Sequence, residues 1–264
     1  MTSRHAILCL WTVCLITAAR CADKASVPPP GTSQADKFLY DRATASLKDR
    51  KWLVARDYFR QLVDNYPQSP FRPDAKLGLG DTYIGENTAE ALVLGGNEFK
   101  EFLTFYPTHP RADYAQYKLG LSHFAQMLSP DRDQTETRAT LKEFEAFVAR
   151  FPNSTLLPEV KEKLRQTRDR LSESQYRVGF FYFRSRWYLG AIDRFKQVLK
   201  DDPDYSFRDA VYFYLAESLV KTEKQAEALP YYQRLIDEFQ KSEYLERARV
   251  KVDALKTAMA KIGH

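Results

Sequence analysis

Cysteine is missing from almost the whole chain: of 264 residues, three are cysteine, and Cys9, Cys14 and Cys21 all fall within the first 21. The sequence beyond Cys21 therefore has no disulfide, no cysteine zinc site and no cysteine nucleophile. Histidine is nearly as scarce. His5, His109, His123 and His264 are the full set and form no HExxH pair, which leaves few imidazoles for a metal or a triad. Glycine numbers only 10, below the roughly 7% of an average protein. Gly78-Leu-Gly80 lacks the third glycine of a dinucleotide fingerprint, and no GxxxxGK loop occurs. No Lys/Arg cluster with interleaved aromatics stands out, so nucleic acid is not an expected partner. Two of the five net positive charges come from Arg4 and Arg20, at the extreme N-terminus. These absences predict a protein with no catalytic residues, no metal and no cofactor.

What is present is 44% apolar, 14% aromatic and 28% charged residues, the composition of a soluble globular body rather than a disordered one. The start is different. A short polar segment with Arg4 leads into a 14-residue apolar run from Ala6 to Ala19, which is shorter than the ~20 residues of a spanning helix and suits a secretory signal. Residues 1–20 read as that signal peptide. Cys21 follows Ala18, Ala19 and Arg20, a setting similar to a bacterial lipobox, although a small residue usually stands where Arg20 is. Cys21 is the expected lipidation site, palmitate included. Residues 21–35 hold Pro28-Pro29-Pro30 and no apolar period, as expected of an extended tether behind a lipid anchor.

Residues 36–262 are periodic. An aromatic, an apolar residue three later and a third residue seven later recur five times: Phe59, Leu62, Tyr66; Phe99, Phe102, Tyr106; Phe144, Phe147, Phe151; Phe195, Val198, Asp202; and Tyr232, Leu235, Phe239. Offsets of 0, 3 and 7 share one face of a helix. Proline follows the first four copies, and Gln240 follows the fifth; a proline there stops the helix. Ser69 is expected to cap the next helix ahead of Pro70, and Asp133 with Glu136 forms a similar start signal. Preceding or following helices show as Ala75, Leu79, Tyr83; Tyr114, Tyr117, Leu121; and Tyr212, Leu215, Leu219. A helical pattern runs from about Leu156 to Arg186, and Pro230 falls mid-pattern, as a first-turn proline or a kink. The fold predicted is all-α: a right-handed α-solenoid of five tetratricopeptide-like hairpins, with N-terminal repeats at about 36–152 and C-terminal repeats at about 153–262.

Three segments carry a more specific resemblance: Tyr106-Pro-Thr-His-Pro-Arg-Ala-Asp-Tyr114 running on to Gly120-Leu121, Asp131-Arg-Asp-Gln134, and Phe144 to Ser154 ending in Phe-Pro-Asn-Ser. Together with the repeats from about Ala35 to Tyr244, they resemble the BamD (ComL) family of outer-membrane-assembly lipoproteins. The resemblance implies a non-catalytic scaffold of the β-barrel assembly (BAM) complex, lipid-anchored on the periplasmic side of the outer membrane. It implies C-terminal repeats that dock on the POTRA domains of BamA, N-terminal repeats that meet unfolded outer-membrane proteins, and other BAM lipoproteins as further partners. Arg194, within Ala191-Ile-Asp-Arg194, matches a family arginine of the BamA-facing region. Tyr40, Tyr83, Tyr114 and Tyr117 are candidates for a peptide groove, with core or turn packing as the competing role. A different periplasmic tetratricopeptide adapter, for envelope or division coordination, is the alternative reading.

Overall fold

Each copy of the periodic motif ends a helix in the same way. The third position of all five copies is the first residue past the helix, and its backbone N–H donates to the carbonyl of the second position: Tyr66 to Leu62, Tyr106 to Phe102, Phe151 to Phe147, Asp202 to Val198 and Phe239 to Leu235. The first and second positions, Phe59 and Leu62 through Tyr232 and Leu235, are buried in every copy. The sequence period and the helix boundaries are thus one feature seen twice.

The computed structural model describes residues 34–262, so the expected signal peptide, Cys21 and nearly all of the tether lie outside the described residues. The described part is all-helical: α1 (Ala35–Lys48), α2 (Trp52–Asn65), α3 (Arg72–Glu86), α4 (Ala89–Phe105), α5 (Ala112–Phe124), α6 (Thr135–Arg150), α7 (Leu157–Arg184), α8 (Tyr188–Asp201), α9 (Arg208–Lys221), α10 (Gln225–Glu238) and α11 (Leu245–Ile262). Each helix packs chiefly on the one before and the one after, with lesser contacts of α1 on α3 and α7 on α9. This is a solenoid of five helical hairpins, with α11 laid over α10 at the end. The buried face of α11, Leu245, Ala248, Val252 and Leu255, closes the last hairpin, as a terminal helix must in a stacked array.

Packing within the stack relies on aromatic knobs set into small-residue holes. A Cβ at Gly78 would lie 2.3 Å from the Phe59 ring, and one at Gly120 the same distance from Phe144. No side chain fits there, so Gly78 serves ring packing inside α3 rather than a phosphate loop. The short turns inside the hairpins use a different device. Arg50, Asn87, Arg186 and Glu223 all take positive φ, between 56° and 63°, the left-handed residue that closes a helix C-terminus.

Three expectations change in detail. Ser69 does not cap α3 directly: Phe71 holds that position, and the Ser69 hydroxyl accepts from the Phe71 N–H at 3.2 Å while donating to Asp36 of α1 at 2.6 Å. Gln134 occupies the N-cap of α6, Asp133 accepts from the Thr135 N–H at 2.9 Å, and Glu136 pairs with His123 instead of closing a capping box. Pro230 lies inside α10, in its second turn. The long pattern after Leu156 is one unbroken 28-residue helix, α7.

Candidate partner-binding surfaces

The Asp36–Ser69 link recurs. Asp113 of α5 accepts from Ser154 at 2.6 Å, Asp169 of α7 from Ser206 at 2.7 Å, and Asp209 of α9 from Ser242 at 2.6 Å. In the second repeat, Asp74 pairs with Arg111 at 2.9 Å instead. Each link ties the first helix of a hairpin to the turn that enters the next, fixing the rise between repeats. Sequence reading missed it, because each link joins an aspartate of one helix to a serine of the following inter-repeat turn, 33 to 41 positions away.

The DRDQ segment is likewise structural. Gln134 is buried, donates to the carbonyls of Ser129 and Arg132, and accepts from Thr137. Asp131 meets Arg177 of α7 at 3.3 Å, and Arg170 donates to the Leu128 carbonyl at 2.7 Å. Backbone and hydroxyl hydrogen bonds, with Arg177 behind them, hold the Asp131 carboxyl below its usual range.

The four candidate groove tyrosines separate into two kinds. Tyr83 and Tyr117 are each 7% exposed, so their rings belong to the core and offer no face to a partner. The Tyr83 hydroxyl accepts from Arg60 at 2.9 Å, and that of Tyr117 donates to Glu159. Tyr40 is partly buried and stacks on Phe71 with centroids 5.1 Å apart. Tyr114, also partly buried, donates to Asp81 at 2.8 Å, and Lys118 meets the same carboxylate at 3.0 Å. Burial first, then the charge of Asp81, raise the Tyr114 pKa and keep the phenol protonated as a donor. Tyr40 and Tyr83 pack in the first core cluster, Tyr114 in the next and Tyr117 in the one after.

Exposed apolar surface gathers elsewhere, at the turn between α7 and α8. Arg186, at φ 63°, reverses the chain, and the Trp187 N–H closes the turn on the Tyr182 carbonyl at 2.9 Å. Phe181, Trp187 and Leu189 are 63%, 67% and 64% exposed. Tyr182 stacks against Trp187 at 5.9 Å and lies over Gly190, which fixes the indole outward. Arg194 is exposed, farther along α8, with its Cβ beside Gly179 of α7. Among the described residues Arg184, Arg186 and Arg194 have no side-chain hydrogen bond and no ion pair. Large exposed aromatics beside unpaired arginines have the composition of interface anchors. Of this surface the sequence indicated only Arg194. Phe181, Trp187 and Leu189 could have been found as apolar residues placed where the repeat register points to solvent.

Stacked helical hairpins of this kind define a tetratricopeptide-type array, and a tetratricopeptide repeat model matches residues 210–242. A family model described as outer membrane lipoprotein (YfiO) matches residues 32–219, and the chain belongs to that family. It is 29% identical over 204 residues to the outer membrane protein assembly factor BamD of Caulobacter vibrioides, covering 76% of this chain and 66% of that one, just under two thirds of its length. It is 27% identical over 176 residues to BamD of Vibrio cholerae, covering 63% of this chain and 72% of that one. Among solved structures, the TPR2AB-domain:pHSP90 complex of yeast Sti1 overlays with a TM-score of 0.45 at 10% identity, over 86% of this chain and 84% of that one.

Proposed function

We propose that the chain is a non-catalytic scaffold lipoprotein of the outer-membrane β-barrel assembly complex, binding BamA and unfolded outer-membrane proteins so that the latter are inserted. The observation that carries this is the α7–α8 edge, where Phe181, Trp187 and Leu189 are exposed at the turn and Arg194 is exposed farther along α8. Membership of an outer membrane lipoprotein family and the names of the relatives support it. In this reading residues 1–20 are removed, Cys21 carries the lipid, residues 21–35 hold the body off the membrane on the periplasmic side, and the repeats of 36–262 present the edge to the POTRA domains. Arg194 supplies the charged contact. No described helix is long and apolar enough to cross a membrane, so in this reading the lipid on Cys21 provides the attachment.

Affinity isolation of the solubilised protein tests the assignment. A BamA-type barrel should come with it, and recovery of division or envelope-coordination proteins without any barrel would favour the adapter reading. Labelled palmitate should be incorporated into the wild type and lost in Cys21→Ala; an unlabelled wild type removes the anchor.

A further inference from the structure

One joint of the solenoid lies inside α7, where a single helix serves two cores in succession along its length. The first part of that helix gives Val160 and Leu164 to the core of the third repeat, around Tyr117, Phe144 and Phe147. The last part gives Tyr176, Phe180 and Phe183 to a separate core built on α8 to α11. Between them the helix turns a polar face inward: Thr167 and Ser172 are buried, and Arg165 reaches the buried carboxylate of Asp202 in the turn after α8. Ser172 donates to the same carboxylate at 2.7 Å, and Asp169 holds Arg165 at 2.9 Å. The Arg165 Nε is buried with no partner. Above this seam α6 and α8 stand apart, leaving a cleft of about 490 Å³ edged by Leu141, Leu171 and Val198, with Arg138, Glu145 and Asp204 among its charged residues.

An apolar joint opens only by exposing buried apolar surface to water, at a cost proportional to the area exposed. A polar joint can exchange its hydrogen bonds for water at a small net cost. We infer that the α7 seam is a hinge between two rigid bodies, residues 35–164 and 176–259, and that the Arg165–Asp202–Ser172 network is the latch that sets the angle between them. The cleft between α6 and α8 gives the bodies room to move. The Asp131–Arg177 pair and the Arg170–Leu128 hydrogen bond tie the loop before α6 to α7 and limit the motion on that side. The hinge rests on the packing and hydrogen bonding of α7 and is independent of the proposed function.

Spin labels attached to ketone-bearing residues in place of Lys100 and Lys256, both exposed, avoid the native cysteines and report the distance between the bodies in the full chain. A second pair, in place of Lys196 and Lys256, lies within one body and serves as control. The isosteric change Asp202→Asn should broaden the Lys100–Lys256 distribution about two-fold, the result of a hinge freed from its latch, and leave the control pair unchanged. The double variant Arg165→Met with Asp202→Leu, which makes the seam apolar, should give a distribution at least as narrow as the wild type. An unchanged width in Asp202→Asn overturns the inference. So does equal broadening of the control pair, which would mean loosening within a body rather than hinging, or a double variant as broad as the single one.

Discussion

Four of the five inter-repeat turns begin on an aromatic ring, Tyr66, Tyr106, Phe151 or Phe239, and one begins on the carboxylate of Asp202. In the first repeat the ring packs on the apolar core of its own hairpin, with Tyr66 against the cluster of Leu39, Phe59 and Leu62. In the fourth, the same backbone position is held by hydrogen bonds and charge. The difference shows that this fold can be propagated by either chemistry as long as the helix ends in the same place. What the chemistry decides is how strongly adjoining repeats are locked together.

Breaking the apolar side of the comparison should have the largest effect. Phe144, fully buried with its ring against Gly120, should cost about 3–5 kcal/mol as Phe144→Ala, read by urea titration; a loss below about 1 kcal/mol would contradict a tightly packed third repeat.

The polar side comes next. Asp202→Ala strands Arg165, whose side chain is 29% exposed, and should cost about 2–3 kcal/mol, discounted for that exposure. The paired change Arg165→Met with Asp202→Leu should be near neutral. The acid limb separates the two further. Burial disfavours the Asp202 carboxylate, but hydrogen bonds from Arg165 and Ser172 outweigh it and hold the pKa below 3.8. A depressed folded value means that its contribution is complete above the unfolded pKa and is lost as pH falls through the folded one. The stability read from denaturation curves should therefore fall more with decreasing pH below about 5 for the wild type than for the double variant, which lacks the carboxylate.

A smaller effect is expected from filling a hole. Gly120→Ala places a methyl within 2.3 Å of Phe144, an overpacking cost of about 1–3 kcal/mol that should appear as a lowered Tm. The smallest effect has the opposite sign. Glu223 holds φ 61° in the turn between α9 and α10, and Glu223→Gly should raise stability by up to about 1 kcal/mol by relieving left-handed strain. A loss of stability would show that the side chain has a role its geometry does not reveal.

The repeats were legible because a helix end and a period both leave marks in sequence: five aromatic stripes, with a proline after four of them, place five helix ends to the residue. The long α7 was legible for the same reason, as a pattern without a break. The Asp–Ser links were not read, because each joins residues 33 to 41 positions apart and no local preference marks either partner. Asp202 stands in sequence only as the one non-aromatic third position; its burial beside Arg165 shows it to be a substitute joint. For Tyr83 and Tyr117, a groove and a core role place the residue on the same helix, and burial decides for the core. The exposed edge at Trp187 was missed because the five stripes mark buried faces, and its residues emerge only when the register is used to ask which apolar positions turn to solvent.

The same division into two regions bears on function, since the proposal places BamA at the C-terminal edge and not at the N-terminal hairpin, where Leu53 is also 67% exposed. Affinity isolation from solubilised envelopes, run in parallel on the wild type, Arg194→Glu and Leu53→Glu, tests this most directly. Reversing the charge of Arg194 should weaken capture of a BamA-type barrel while Leu53→Glu retains it at the wild-type level. Full retention by Arg194→Glu, or equal loss in both variants, would contradict a docking surface on the α7–α8 edge.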